Sequence, residues 1–466
     1  ICFTPWCHGQ NLSLDASLVL NRHADQVGIW VNPIHDQNNV GLLRALRQLR
    51  LKSIRYGWQC GLFDPRDLTS QMHSPRDPDN NGHLIDGKGR MRETFGPGGV
   101  AELMDATATT GFAVVHTDGV IYNGSADQRI AKMPEESRID AYAGRAAMWA
   151  SWAKGNRFEY FEIGNENDIV SPEKTNRAFA KWSPELYARV ARKFLTEIKR
   201  ANPNAKCGIN GGLLPADESI AWFSGIFDAE PSLADDLDFT IAHKYEMWLD
   251  YKTWLRHPDW DLGRLSKEYR EIRAERFPGL PVQVTEIGPW KPGENDQHYR
   301  ALLATEMLGN VRMDAAVQHA QFWPTRWYNE GIFKGTNSQL SPMGLGLAAY
   351  TQFAHPILFA NGYSGNVRYF AARGDTAATF WFVNHSEEAG SVAVAVKNLE
   401  TVRAAERWSL QSPSNDPTAT DTQLVRLSSP TVSPRGDDQV FQVDLAPLSV
   451  TIVQVQYEAR KIRPKK

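Results

Sequence analysis

Between residues 27 and 323, eight short apolar segments alternate with segments of helical character, and this alternation constrains the fold more than any other feature. Apolar runs of strand length separated by amphipathic helices predict βα units and a parallel sheet. Eight such units are the number that closes a parallel barrel, so we predict an α/β fold, a (β/α)8 barrel, rather than an open sheet. The predicted strands begin near residues 27, 52, 112, 158, 206, 238, 281 and 315.

The segments between these strands contain recognisable helix boundaries. Residues 183–201 begin with Ser183, a good N-cap, and Pro184 occupies the first helical position. The segment 99–111 is predicted to be a helix that ends on Gly111. These boundaries support the division of the chain into βα units.

After about residue 355 the pattern changes to short alternating strands separated by polar turns, which predicts a small antiparallel β-sandwich. The segment 11–21 also alternates, and we expect it to cross over and join that sandwich. The predicted domains are therefore a catalytic barrel over 22–355 and an accessory sandwich formed by 1–21 together with 356–460.

Composition excludes several classes of protein. The 466 residues carry a net charge of −3, so the chain lacks the basic surface of a nucleic-acid-binding protein. No apolar run approaches 18 residues, so we expect no membrane span. The 15 tryptophans fit a carbohydrate site, because flat sugar faces stack on indole rings. The oligomeric state stays open.

Four cysteines are too few for a disulfide scaffold. Cys2 and Cys7 are close enough in sequence to pair in an oxidising compartment, whereas Cys60 and Cys207 resemble single buried thiols. The sequence begins at Ile1 rather than at Met, which a removed signal peptide would explain, as would deliberate trimming. We therefore expect a secreted, periplasmic or cell-surface protein.

The predicted strand ends carry many polar and aromatic side chains. In a parallel barrel the chemistry lies at the carboxyl ends of the strands, so these side chains should share one rim. The predicted site residues, in chain order, are Arg55, Trp58, His116, Asp118, Asn165, Glu166, Asn210, His243, Tyr245, Glu286 and Trp323, with Trp290 in the loop after the seventh strand.

Two glutamates on this rim form a candidate catalytic pair. Glu166 follows the fourth predicted strand and Glu286 ends the seventh, so both face the barrel mouth. Cleavage of a glycosidic bond needs two carboxyl groups, one protonated and one ionised. Arg55 and Tyr245 could keep Glu286 ionised, and Asn165 could hold the sugar hydroxyl beside the reacting carbon.

The ordered set "IRYG", "IGNEN", "HKY", "VTEIG" and "FWP" resembles clan A of the retaining glycoside hydrolases. With the appended sandwich, the chain is similar to families 39, 79, 51 and 30, although Asn167 stands where families 39 and 79 have a proline. The resemblance implies a double-displacement enzyme that cleaves β-type bonds in oligo- or polysaccharides without a cofactor. It also implies that Glu166 is the acid/base and Glu286 the nucleophile.

Several alternatives remain open from the sequence. Asp77, Asp79 and Asn81 match the start of a calcium loop, but Lys88 stands where a bidentate Glu belongs, so a plain polar loop is the simpler interpretation. The barrel could be a catalytically silent carbohydrate-binding protein, or the sandwich could lead an interaction module. His243 could be a core histidine and Arg55 a structural ion pair. The loop tryptophans could be sugar platforms or packing, namely Trp58, Trp248, Trp290 and Trp327. Exo- and endo-action are not distinguished.

Overall fold

The computed structural model describes residues 10–31, 44, 46–56, 97–121, 130, 132–168, 182–211, 216–291, 293–323, 331–334 and 339–458. The predicted Cys2–Cys7 pair and Trp58 lie outside these residues. The predicted calcium loop also lies outside them, with all three of its named residues, Asp77, Asp79 and Asn81.

Eight parallel strands close into a barrel, which confirms the fold class predicted from the alternation. Neighbours around the barrel follow chain order, and the last strand pairs with the first through Val27 and Ala320. The barrel strands are β2 (Val27–Trp30), β3 (Ser53–Tyr56), β4 (Thr110–Val115), β5 (Phe158–Ile163), β6 (Lys206–Asn210), β7 (Phe239–Tyr245), β8 (Val282–Gly288) and β9 (Val317–Phe322).

Helices follow the strands and cover the barrel. The predicted cap is present, since Ser183 Oγ accepts a hydrogen bond of 3.2 Å from the Leu186 amide. The helices are α1 (Pro97–Thr107), α2 (Glu135–Ala153), α3 (Pro184–Ala201), α4 (Ala216–Ala229), α5 (Leu233–Asp236), α6 (Tyr251–Arg256), α7 (Lys267–Arg276), α8 (His298–Asn310) and α9 (Pro342–Thr351).

One predicted helix end was wrong. Helix α1 ends at Thr107 rather than at Gly111, because Ala108 turns into the left-handed region with φ of 54°. Strand β4 therefore starts at Thr110, and Gly111 lies within it. Within the described residues, none of the helices combines the length and apolarity that a membrane crossing requires.

Two antiparallel sheets stack beside the barrel. Strand β1 (Gln10–Asp15) pairs in parallel with β15 (Gly390–Lys397) and so joins the four-stranded sheet. That sheet also contains β19 (Asp438–Leu445) and β18 (Val432–Arg435). The six-stranded sheet contains, in spatial order, β12 (Ile357–Ser364), β13 (Val367–Arg373), β14 (Ala377–Asn384), β20 (Ser449–Tyr457), β16 (Val402–Gln411) and β17 (Gln423–Leu427).

Buried polar contacts join the sandwich to the barrel. His385 stacks on Trp254 with ring centroids 4.1 Å apart and contacts Glu306 Oε2 at 3.0 Å. Arg368 of β13 donates to Asp261 Oδ1 at 2.8 Å. These contacts hold the sandwich against the helix and loop that follow β7 and against helix α8, which follows β8.

Aromatic side chains fill the part of the barrel interior nearer the amino ends of the strands. Phe112 and Tyr160 stack with centroids 4.2 Å apart, and the His319 ring lies 5.2 and 5.3 Å from them. Phe239 and Ile241 complete this buried cluster. We call these five residues the lower layer; the site described next lies above it, towards the carboxyl ends.

Candidate active site

A β-bulge in β8 turns Glu286 towards the barrel interior. Val284 pairs with Ala242 and Glu286 with His243, so Thr285 is an extra residue on β8. In a regular strand Thr285 would pair with His243 and face the interior, and the next residue, Glu286, would face outward. The bulge therefore lets Glu286 share the interior with His243.

A tight turn presents Glu166 at the end of β5. Gly164 has φ of 82°, and a Cβ there would lie 2.0 Å from Asn167 Oδ1, so only glycine fits. Glu166 itself has φ of 53°, a conformation that costs a non-glycine residue about 1–3 kcal/mol. Such strain at a carboxylate is typical of a functional position.

Buried amides fix this turn from below. Asn210 donates from Nδ2 to Asn167 Oδ1 at 2.8 Å and accepts from the Asn167 amide at 3.1 Å. Asn167 donates in turn to Thr117 Oγ1 at 2.9 Å. Asn210 also donates to the Ile163 carbonyl at 3.1 Å. The role that this geometry gives Asn210 is to hold the turn that carries Glu166.

Arg55 lies between the charged groups of the site and contacts three of its side chains. Its Nη1 contacts Glu286 Oε1 at 2.5 Å, and its Nη2 donates to Asn165 Oδ1 at 2.8 Å. On its other side it forms a bidentate pair with Glu162, at 2.8 and 3.0 Å. Arg55, Glu162 and Glu286 are all buried. Burial would lower the pKa of Arg55, but the two carboxylates outweigh it and raise that pKa.

Glu286 is held as a carboxylate. Burial raises its pKa, but the His243 and Arg55 charges outweigh that effect and lower it. The Tyr245 hydroxyl donates to Glu286 Oε2 and lowers the pKa further. Because burial and the nearby carboxylate charges disfavour a phenolate, the pKa of Tyr245 is raised well above its ordinary value. Tyr245 is therefore a donor to Glu286 over the ordinary pH range.

His243 connects the two glutamates. Its Nδ1 lies 2.9 Å from Glu166 Oε1 and 3.6 Å from Glu286 Oε2. Its Nε2 lies 3.2 Å from Thr285 Oγ1. Burial lowers the pKa of His243, but the carboxylates of Glu286 and Glu166 outweigh it and raise that pKa.

The two candidate catalytic carboxyl groups are close together. One carboxylate oxygen of Glu166 and one of Glu286 lie within 4.8 Å of each other. Retaining glycosidases separate their carboxyl groups by about 5–5.5 Å, whereas inverting ones need about 6.5–9.5 Å to admit a water. The spacing therefore fits a direct attack by one carboxylate.

Aromatic rings form a wall beside Glu286. Trp323, directly after β9, meets Tyr245 edge-on at 5.7 Å and Trp290 edge-on at 4.8 Å between centroids. Trp30 lies 6.0 Å from Trp323 on the opposite side. We call Trp30, Tyr245, Trp290 and Trp323 the aromatic wall. Such a wall can contact the apolar face of a sugar.

Glu166, His243 and Glu286 also have the number of ligand atoms that a metal ion needs. However, Glu286 already accepts hydrogen bonds from Arg55 on one oxygen and from Tyr245 on the other. The Arg55 guanidinium, whose Nη1 lies 2.5 Å from Glu286 Oε1, would repel a further cation bound to this carboxylate. This group of residues thus fits acid–base chemistry better than metal binding.

The structure brings most of the predicted site residues together and shows one that the sequence analysis missed. Glu162 was not predicted, although it lies two residues after the interior-facing Tyr160 on the same strand. A carboxylate at an inward position was the available signal. Among the other predicted residues, His116 directly follows β4 and Asp118 begins a short 3₁₀ turn. The predicted residues that converge at the rim are Arg55, Asn165, Glu166, His243, Tyr245, Glu286, Trp290 and Trp323.

No protein-family model and no curated protein sequence matches this chain. Several solved structures, however, are similar to it. A family 51 arabinofuranosidase from Xanthomonas axonopodis pv. citri has a TM-score of 0.66 at 16% identity, covering 96% of this chain and 99% of that one. A family 51 α-L-arabinofuranosidase from Bifidobacterium longum has a TM-score of 0.67 at 14% identity, covering 97% and 100%.

A family 30 subfamily 8 xylanase from Clostridium acetobutylicum has a TM-score of 0.64 at 12% identity, covering 95% of this chain and 99% of that one. At these identities the likeness is one of fold. It confirms the predicted fold, a (β/α)8 barrel with an appended β-sandwich. The class that fold and site define together is a (β/α)8 barrel with an attached β-sandwich and two adjacent carboxyl groups at the barrel mouth.

Proposed function

We propose that this protein is a retaining glycoside hydrolase. The observation that carries the proposal is the pair of carboxyl groups, Glu166 and Glu286, with oxygens within 4.8 Å at the barrel mouth. Their surroundings differ as the reaction requires. Glu286 is buried between two hydrogen-bond donors, whereas Glu166 is more exposed and touches His243.

In the first step, the Glu286 carboxylate attacks the anomeric carbon and forms an ester with the sugar. The bond from that carbon to the leaving oxygen breaks, and Glu166 gives its proton to that oxygen. Arg55 and Tyr245 hold the two oxygens of Glu286, so the attacking carboxylate is fixed before substrate arrives.

In the second step, Glu166 accepts a proton from a water molecule, and the water oxygen bonds to the anomeric carbon. The ester bond to Glu286 breaks and the carboxylate is regenerated, while Glu166 is protonated again. Two inversions give net retention. Asn165, held by Arg55 at 2.8 Å, is positioned beside Glu286 to bind a sugar hydroxyl.

The proposed substrate is a β-linked oligo- or polysaccharide. The aromatic wall supports this proposal, since it provides apolar faces for pyranose rings. The Trp290 indole nitrogen is buried and has no partner among the described residues, so a sugar hydroxyl could accept its hydrogen. The similar structures include xylanases and arabinofuranosidases, which makes pentose-containing glycans the first to test. Action outside the cytoplasm remains part of this proposal.

The test is a hydrolysis screen of the wild type and Glu286→Ala. The panel contains 4-nitrophenyl β-D-xyloside, β-D-glucoside and α-L-arabinofuranoside, together with xylan, arabinoxylan and β-glucan. We expect the variant to lose about 10⁴-fold or more in kcat, because the attacking group is absent. Added azide should restore turnover and give a glycosyl azide of inverted configuration.

A matched control is Glu271→Ala, which removes an exposed glutamate from helix α7 and should leave activity unchanged. Wild-type turnover that survives Glu286→Ala would contradict the assigned nucleophile. Binding without turnover across the panel would favour the silent carbohydrate-binding barrel.

A further inference from the structure

The loop after β7 exposes two large apolar side chains next to the site. Met247 is 43% exposed and Trp248 is 62% exposed. Trp248 follows Tyr245 by three residues, so their Cα atoms are at most about 11 Å apart. Tyr245 donates to Glu286, which places Trp248 on the same rim as the carboxyl pair.

This loop is rigidly anchored on both sides of the exposed pair. The buried Arg300 donates from Nη1 to the Glu246 carbonyl at 3.1 Å and from Nη2 to the Leu249 carbonyl at 2.9 Å. The same Nη1 donates to the Pro289 carbonyl at 3.0 Å, one residue before Trp290. One arginine thus joins the loop of Trp248 to the loop of Trp290, and it fixes both relative to the site.

A second indole supports Trp248. Trp260 packs against it with centroids 6.0 Å apart and is stacked on His257 at 3.9 Å. The Trp260 carbonyl accepts from Arg368 at 3.5 Å, and Arg368 also holds Asp261 at 2.8 Å. Since Arg368 belongs to the sandwich, that domain stabilises the support for the exposed ring.

We propose that Trp248, backed by Trp260, is an outer sugar-binding platform that takes a glycosyl unit of the substrate chain beyond the units that flank the cleaved bond. Because Arg300 anchors the loop on both sides, the exposed Trp248 ring is held in place and can offer its face to a sugar. Arg300 fixes the loop of Trp248 beside the loop of Trp290, which belongs to the aromatic wall. A substrate chain that contacts the wall can therefore extend to Trp248, and we take this chain as the ligand of the platform. The inference rests on the proposed function and narrows it: the substrate is an extended glycan rather than a simple glycoside.

The test compares long and short substrates of the sugar that the screen identifies, xylohexaose and 4-nitrophenyl β-D-xyloside if that sugar is xylose. For Trp248→Ala, we expect kcat/KM on the hexasaccharide to fall about fivefold to tenfold, mainly through KM. On the aryl glycoside, which ends before the platform, kcat/KM should not change. Titration calorimetry of the same hexasaccharide with Glu286→Ala, with and without Trp248→Ala, should give the same loss in affinity.

The matched control is Tyr363→Ala, which removes a 55% exposed aromatic ring from strand β12 of the sandwich. It should leave both substrates unaffected, and Trp248→Tyr should recover most of the hexasaccharide rate. Equal losses on both substrates, no loss on either, or a wild type that cleaves only the aryl glycoside would overturn the platform and leave the proposed function intact. A wild type inactive on the whole panel would overturn both.

Discussion

The barrel interior contains two layers that the same strands build and that differ in almost every physical property. In the lower layer, Phe112, Tyr160 and Phe239 pack as in an ordinary apolar core. One step higher, two residues along β5, Glu162 pairs with Arg55, which also contacts Glu286. We call Arg55, Glu162, Glu286 and the adjacent His243 the upper layer. These side chains are also buried, but they are ionisable, so this part of the barrel interior holds charges and shields them from water.

Two buried histidines show the electrostatic difference between the two layers through their pKa values. Burial alone would lower both pKa values. In the lower layer, burial and the nearby cations lower the pKa of His319 to about 3. In the upper layer, carboxylates outweigh burial and raise the pKa of His243. The neighbouring charge, rather than depth, therefore decides the protonation state.

Among substitutions that leave Glu166 and Glu286 in place, the largest effect on activity should come from Glu162→Gln in the upper layer. Without this carboxylate, Arg55 acts on Glu286 alone, so the nucleophile is more strongly stabilised and less reactive. We expect kcat to fall about 100-fold. The acid limb of the kcat/KM profile should move to lower pH, because the pKa of Glu286 falls further. Steady-state pH profiles check both.

The conservative variant Glu162→Asp keeps the charge and should retain the wild-type acid limb even if its shorter side chain costs rate. A merely structural Glu162 would lower the folded fraction of both variants and leave the position of the acid limb unchanged. That result would contradict the assigned tuning of Glu286.

In Tyr245→Phe, the acid limb of the pH–activity profile should move in the opposite direction. The hydroxyl donates to Glu286 and lowers its pKa, so its removal raises that pKa. Glu286 must be ionised to attack, and the acid limb should therefore move to higher pH. We expect about a tenfold loss of kcat at the optimum. An acid limb that stays in place would show that Tyr245 acts by packing.

The smallest expected effect belongs to the lower layer. It is a change in the pH dependence of stability in His319→Leu. The unfolded chain binds a proton at His319 below its ordinary pKa of 6.5, whereas the folded chain does so only near 3. Stability therefore falls as pH drops through this window, by up to about 1.4 kcal/mol per pH unit. The variant lacks that loss, so its urea midpoint should change less between pH 7 and 5.

His257→Gln, at a more exposed histidine, is the control and should keep the wild-type pH dependence of unfolding. If the urea midpoints of the wild type and His319→Leu changed equally between pH 7 and 5, His319 would bind its proton as readily in the folded protein as in the unfolded chain. The two layers would then be less different than their packing indicates.

The sequence predicted the strand alternation and most residues of the upper layer, because hydrophobic periodicity and motif order survive in a single chain. It placed Glu286 at the barrel mouth through the order of the motifs, but it could not show the bulge at Thr285, which reverses the parity of the strand and turns Glu286 inward. It also assigned Asn210 to substrate, whereas that amide holds the turn at Gly164 from below. Side-chain partners across strands are tertiary facts that local pattern does not encode.

Two strands of the sandwich lack the alternating pattern from which a strand is predicted. Strand β16 is mostly half-exposed and carries charges within its run, and β18 is almost fully exposed. Neither shows the alternation of buried and exposed positions that identifies a strand. They are held by pairing with β20, which is buried along most of its length, and with β19, whose buried positions alternate.

The parallel pairing of β1 with β15 joins Gln10 to Val392. During synthesis, β1 leaves the ribosome about 380 residues before its partner, a delay of roughly 20 to 75 seconds at ordinary elongation rates. The nascent chain therefore carries an unpaired strand throughout the assembly of the barrel, and such an edge invites association with other chains. Heterologous production should accordingly benefit from slow growth at low temperature and from abundant chaperones that shield a nascent N-terminal segment.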